Sequence, residues 1–135
     1  MDEVGLEKIL YYNNTMGKFQ STKLFDGFSC VFRQWKAKNT HCRFMHGYGV
    51  SFRVWFEGSL DDRNWVWDFG GMKRAQTKID GMSPKAWMDY MFDHTILVAK
   101  DDPMLNLIND LEHNQIAQVR IVEATGAEKF AEFIF

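Results

Sequence analysis

The stretch NTHCRFMHGYGVSF, Asn39 to Phe52, places His41, Cys42, His46 and Tyr48 within eight residues and then becomes an alternating run. From His46 onward every second residue is large: His46, Tyr48, Val50, Phe52, Val54 and Phe56 share one parity. Gly47, Gly49, Ser51, Arg53, Trp55 and Glu57 share the other. Side chains of a strand alternate between its two faces, so this spacing predicts a strand from about Phe44 to Glu57 with one buried face. That face is apolar except at its start, where His46 and Tyr48 sit. Such a pattern fits a site on the rim of a buried sheet face. It fits equally a strand that carries polar residues for no chemical purpose.

The same period-two reading extends upstream. STKLFDGFSCVFRQW, Ser21 to Trp35, predicts a strand with Phe28, Cys30 and Phe32 on one face and Ser29, Val31 and Arg33 on the other. Gly27 suits a bulge or bend, and the polar Lys36 to Asn39 connects the two strands. Downstream, GSLDDRN is a turn cluster and NWVWDFGG a short extended piece, with Asp68 placed to cap a helix start at Gly-Gly-Met-Lys. Lys73 to Lys78 opens a helix. Ser83-Pro84 supplies an N-cap and a first-turn proline, predicting a helix from Lys85 to about Phe92. DHTILVAKDDP is read as a loop, Met104 to Glu112 as a helix, and QVRIVEA as a short strand. Thr125-Gly126-Ala127-Glu128 has the form of a capping box. Behind it Ala127, Phe130, Ala131 and Ile134 make an apolar stripe at helical spacing, which calls for a packing partner. Residues 1–20 are a weakly patterned arm open to disorder, and Met16 is an alternative start. Residues 21–135 make the domain.

Composition bounds the class. The chain has 135 residues, suiting one domain, with 46% hydrophobic and 25% charged residues. Five Trp and twelve Phe imply a large aromatic core or an oligomer interface. A net charge of −2 argues against nucleic-acid binding, which needs a basic face. No apolar run reaches the roughly 18 residues of a membrane span. The acidic, polar start MDEVGLEKILYYNN differs from a signal peptide. Two cysteines, Cys30 and Cys42, are too few for a disulfide-stapled domain and are expected as thiols in a reducing cytoplasm.

Five segments, FSCVF, CRFMHGY, VWDFGGMK, FDHTIL and ATGAEKFAEF, stand in an order and at spacings that resemble the 6-pyruvoyl-tetrahydropterin synthase / 6-carboxy-tetrahydropterin synthase family. The resemblance runs from about Phe25 to the end of the chain. It implies an α+β T-fold: an antiparallel sheet with helices packed on one face, assembling edge to edge into a homo-oligomeric barrel. It also implies a pterin substrate, dihydroneopterin triphosphate, with the 6-carboxy branch leading to 7-deazaguanine (queuosine) synthesis. In the family a zinc ion is held by one histidine of the first strand and two of an H-G-H motif. A cysteine before that motif acts as base with an Asp-His pair, and a late glutamate anchors the pterin.

Residue by residue, the resemblance assigns the catalytic roles to Cys42, Asp93 and His94, and a zinc-ligand role to His46. Phe32 and Tyr48 occupy the other two ligand positions. His41 lies near enough in sequence to join a rearranged metal site. Glu123 is a candidate for the pterin-anchoring glutamate. The better alignment sets TGAEKFAEF on the family's P-T-x-E helix and leaves the last two strands and the glutamate beyond residue 135. The chemistry is coherent: a thiol of ordinary pKa near 8.5 is mostly protonated at neutral pH, and a histidine held by a carboxylate makes proton transfer competent near pH 7. By residue type alone, Cys42 is an ordinary buried cysteine and His94 a helix-terminal histidine. Arg33, Lys36 and Arg43 lie near the site and offer charge to a triphosphate, or are solvated. Two functions fit: a carbon–carbon lyase like 6-carboxy-tetrahydropterin synthase, or a non-catalytic T-fold protein that binds a pterin or purine or serves in assembly.

Overall fold

The structure is a computed structural model, described for residues 2–11, 19–71 and 81–134, with side chains described from residue 19 onward. Five strands form one sheet: β1 (Asp2–Tyr11), β2 (Phe19–Phe32), β3 (His46–Gly58), β4 (Thr95–Ala99) and β5 (Val119–Val122). Their order across the sheet is β1-β3-β2-β4-β5. Among the described residues three α-helices accompany them: α1 (Pro84–Phe92), α2 (Leu105–His113) and α3 (Ala127–Ile134).

The β2–β3 hairpin follows the alternation in its sequence. Phe25 pairs with Phe52 and Phe28 with Val50, so three steps on β2 oppose two on β3. The extra residue is a bulge at Gly27, whose φ of +82° favours glycine. The bulge resets the face parity and lets both Phe25 and Phe28 point into the core. Beyond it Cys30 lies opposite Tyr48, and Phe32 opposite His46. Tyr48, Val50, Phe52, Val54 and Phe56 are all buried, as the period-two reading requires.

The rest of the sheet differs from an antiparallel one. β2 and β3 are antiparallel, but β1 runs parallel to β3, β4 to β2 and β5 to β4. The segment expected as a loop after α1 contains β4. Thr-Ile-Leu-Val-Ala is β-branched, apolar and buried on nearly every residue, as in strands covered on both faces. A parallel β4–β5 connection needs a crossover, and α2 supplies it. Helices therefore cover both faces. Leu97 of β4 joins the large core, with Met88 and Phe92 of α1 and Phe130 of α3. Ile96 and Val98 point the other way into a smaller aliphatic core with Leu105 and Ile108 of α2. The alternation along β4 makes these opposite sides of the sheet.

The ends of the helices show why they start and stop there. Ser83 Oγ accepts from the Ala86 amide at 3.2 Å and Pro84 opens α1. α3 begins one residue later than a capping box would place it. The Thr125 hydroxyl instead donates to the Arg33 carbonyl at 2.6 Å, tying the helix start to the end of β2. The expected apolar stripe is packed, with Phe130 fully buried and Ala127, Ala131 and Ile134 around it. Trp65 to Gly70 is a turn rather than a strand, in which Asp68 accepts from the Gly70 amide at 2.9 Å. The helix expected over Lys73 to Lys78 lies outside the described residues. Asp2–Tyr11, which the sequence pattern alone leaves as an unpatterned arm, forms β1.

A buried ion pair fastens the β2 end to the loop before α2. Arg33 Nε donates to Asp102 Oδ2 at 2.8 Å and its terminal nitrogen to Oδ1 at 2.5 Å. Asp102 Oδ1 also accepts from the Met104 amide at 2.9 Å. The Arg33 hydrogen bonds hold the Asp102 carboxyl below its ordinary pKa.

Candidate functional site

A cavity of about 430 Å³ opens where β2, β3 and the start of β4 meet the segment before β5. Cys30, His46, His94, Thr95, Ile116 and Gln118 are among the residues lining it. Of the sequence-assigned residues, His46 and His94 share this cavity. Cys42, His41 and Glu123 are not among its lining residues.

Asp93 and His94 stand at its edge, just after α1. His94 Nδ1 and Asp93 Oδ2 are 2.9 Å apart. The other Asp93 oxygen accepts from the Ser29 amide at 3.1 Å, while the His94 amide donates to the Ser29 carbonyl at 2.6 Å. Ser29 thus grips both residues through its backbone. The grip holds His94 at φ +56°, a conformation uncommon outside glycine. Strain of this kind persists where surrounding bonds over-determine it. The His94 ring is 79% exposed, so solvent and ligand reach it.

The three positions that the resemblance assigns to zinc histidines lie together as expected, but two carry other chemistry. Phe32 and Tyr48 stack with ring centroids 4.0 Å apart and planes 13° from parallel. His46 lies on Tyr48 at 4.3 Å. Phe130 closes the inner end edge-on to Phe32 at 4.8 Å. A phenyl ring has no metal-binding atom, and zinc sites use three or four N, S or O donors. Among the described residues no group of three or more His, Cys, Asp or Glu could hold a metal ion. The residues here do not fit a three-histidine zinc ion.

Cys42 sits in a single 3₁₀ turn, His41–Arg43, between the hairpin strands. Its amide donates to Thr40 Oγ1 at 3.2 Å and its carbonyl accepts from the Gln34 amide at 2.7 Å. The thiol is half-buried and His41 exposed. The cysteine in the cavity wall is instead Cys30. Burial, with the nearby Asp93 charge, pushes its thiol up to about 12, so it stays protonated and inert. Glu123 is exposed and paired with Lys100 at 2.5 Å. The cations offered to a triphosphate already have partners: Arg33 holds Asp102, Lys36 meets Asp101 at 3.0 Å, and Arg43 donates to the Lys38 carbonyl at 3.3 Å.

The residues missed from sequence are Ser29, Thr95, Ile116 and Gln118. Ser29 acts through its backbone, which no residue pattern reveals. Thr95 stays hidden while its segment is read as a loop. Ile116, 73% exposed, gives no sequence signal either, since single apolar residues at the surface are ordinary.

An α+β sheet carrying this hairpin, with helices packed against it, defines the T-fold. The 6-pyruvoyl tetrahydropterin synthase family matches residues 22–135, and the chain belongs to it. No curated protein matches the chain. The crystal structure of an uncharacterized protein from Wolinella succinogenes is similar, with a TM-score of 0.52 and 24% identity. The match covers 71% of this chain and 53% of that one, so the chain spans about half the length of that protein. At this identity the likeness concerns the fold. No helix among the described residues is long and apolar enough to cross a membrane.

Proposed function

We propose that the protein binds a pterin in the His46–His94 cavity and transfers a proton on it through His94, as a carbon–carbon lyase like 6-carboxy-tetrahydropterin synthase. Dihydroneopterin triphosphate or a related pterin is the substrate, and a cytoplasmic homo-oligomer the working form. The observation that carries this reading is His94 on the wall of a cavity large enough for a small heterocycle, with Asp93 behind it at 2.9 Å. Donation of Nδ1–H to Asp93 fixes the tautomer and leaves Nε2 to accept the proton. Asp93 also stabilises the imidazolium that results. Cys42, which the resemblance makes the base, is carried by the turn that enters β3 and is not among the residues lining this cavity, so in this proposal the proton transfer falls to His94.

A second reading is favoured by the Phe32–Tyr48 stack. Loss of two zinc-ligand positions to packed rings is what a non-catalytic pterin- or purine-binding protein would show. Turnover of dihydroneopterin triphosphate separates the two, followed as triphosphate release and as loss of the side-chain carbons. Metal content is measured on protein purified without chelator. The lyase reading expects turnover that falls by about 10²–10⁴ in His94→Gln. Tight pterin binding with no turnover in the wild-type chain sinks it and leaves the binding protein.

A further inference from the structure

We infer that His46 is a stacking residue rather than a metal ligand: the outer ring of an aromatic column on which the pterin lies flat. The column runs Phe130, Phe32, Tyr48, His46, from the fully buried end to the cavity wall. Each ring is held by the one beneath it. Phe32 and His46 are cross-strand partners, and Tyr48 follows His46 by two residues on the same face, so the hairpin register brings the rings together. The His46 ring is also fixed from its side, with Nδ1 3.2 Å from the Phe44 carbonyl. A backbone carbonyl accepts, so Nδ1 carries the proton there. A ring restrained by both a tilted ring contact, 37° between planes, and a hydrogen bond loses little freedom when a second planar group settles on it.

The cavity beside His46 suits such a group. Polar Ser29, Thr95, Gln118 and His94 line it together with apolar Ile96 and Ile116. The ligand class is a planar, hydrogen-bonding bicyclic heterocycle. This inference rests on the pterin-binding reading above and adds the means of holding the ring. It also accounts for the substituted positions, because aromatic side chains at 32 and 48 are what a stacking column needs.

The test uses the fluorescence of pterin itself, titrated with the full chain in the presence and absence of a chelator, for the wild type, His46→Phe and His46→Ala. Stacking expects chelator to leave the dissociation constant unchanged. It expects His46→Phe to bind within a few-fold of wild type and His46→Ala to lose about 10–100-fold. Metal ligation would make His46→Phe as weak as His46→Ala and would make binding chelator-sensitive, and that result overturns the inference. Wild-type binding with an unchanged constant in His46→Ala overturns it while leaving the pterin-binding reading intact. Absence of any pterin binding by the wild type overturns both. Far-ultraviolet circular dichroism of each variant verifies that it is folded.

Discussion

The Phe32–Tyr48–His46 column and the Asp93–His94 pair each bring one residue, His46 and His94, to the same cavity, and they are built in opposite ways. The column is buried at its base, made of rings, and held by packing. The pair is polar, with His94 exposed and Asp93 half-buried, and is held by two hydrogen bonds to the Ser29 backbone. In the family resemblance, the first region carries the metal and the second the acid–base chemistry. Here the first has been absorbed into the hydrophobic core and the second kept. The two halves of such a site are therefore structurally separable. Phe32 and Tyr48 face inward, so aromatic rings at these positions pack into the core.

The largest expected effect tests how deeply the column belongs to the core. Phe32 is 3% exposed between Tyr48 and Phe130, so Phe32→Ala leaves a cavity that cannot easily collapse. The expected loss is about 3–5 kcal/mol of stability, seen as a lower denaturation midpoint in urea. A loss below about 1 kcal/mol would mean that the column is a surface feature.

Next is the ion pair that joins the hairpin end to the second helix. The Asp102 side chain is 1% exposed and hydrogen-bonded to Arg33. Asp102→Ala leaves the arginine without its acceptor, and about 3 kcal/mol is expected to be lost. The pH dependence has a definite sign. The folded pKa of Asp102 is depressed, so its contribution is complete above the unfolded value near 4 and is lost as pH falls through the lower folded value. Urea midpoints of the wild type should fall more steeply below about pH 4 than those of Asp102→Asn. Parallel curves would show that other groups govern acid unfolding.

Asp93→Ala bears on the other region. It leaves the Ser29 amide without its side-chain acceptor and removes the partner of His94. About 1–2 kcal/mol of stability is expected to go, and proton transfer with it. If activity survives intact, the pair is structural and the contrast between the two regions fails.

The thiols give a smaller, qualitative reading. Cys30 is 2% exposed with its thiol raised to about 12, whereas Cys42 is half-buried. Iodoacetamide at about pH 8 should label Cys42 in the native protein and both cysteines after denaturation. Peptide mapping that finds Cys30 labelled first would place the reactive thiol in the cavity wall instead of the turn.

How much of this was legible depends on how local each feature is. The hairpin faces followed from period-two spacing, and Gly27 announced the bulge. The α1 start followed from Ser83-Pro84, because a cap and a proline act within one turn. β4 was missed because TILVA is short and buried on both sides, and such a run has no alternation to read. The parallel pairing and the helix on the second face were lost with it. In the site, the family resemblance, not spacing alone, singled out His46, Asp93 and His94, and the structure sets His46 and His94 on one cavity. The separation of Cys42 from the cavity was hidden, because it depends on a 3₁₀ turn whose direction is set by Thr40 and Gln34. The Phe32–Tyr48 contact needed only the register, which alternation fixes once the bulge is counted.

The smallest expected change in stability belongs to His94, and it is the sharpest test of the contrast. Its ring is 79% exposed, and its Asp93 partner keeps the Ser29 amide when the imidazole is gone. His94→Ala should therefore shift stability by no more than about 0.5 kcal/mol, as exposed substitutions usually do. Alanine at φ +56° carries its own backbone strain, which His94 already bears, so the two nearly cancel. His94→Gly removes that strain and is expected to be slightly more stable than either. A stability series of Gly above Ala and His, with activity in His alone, would mean that a strained histidine is kept for chemistry. A large destabilisation in His94→Ala would instead make the ring part of the scaffold, as the column is.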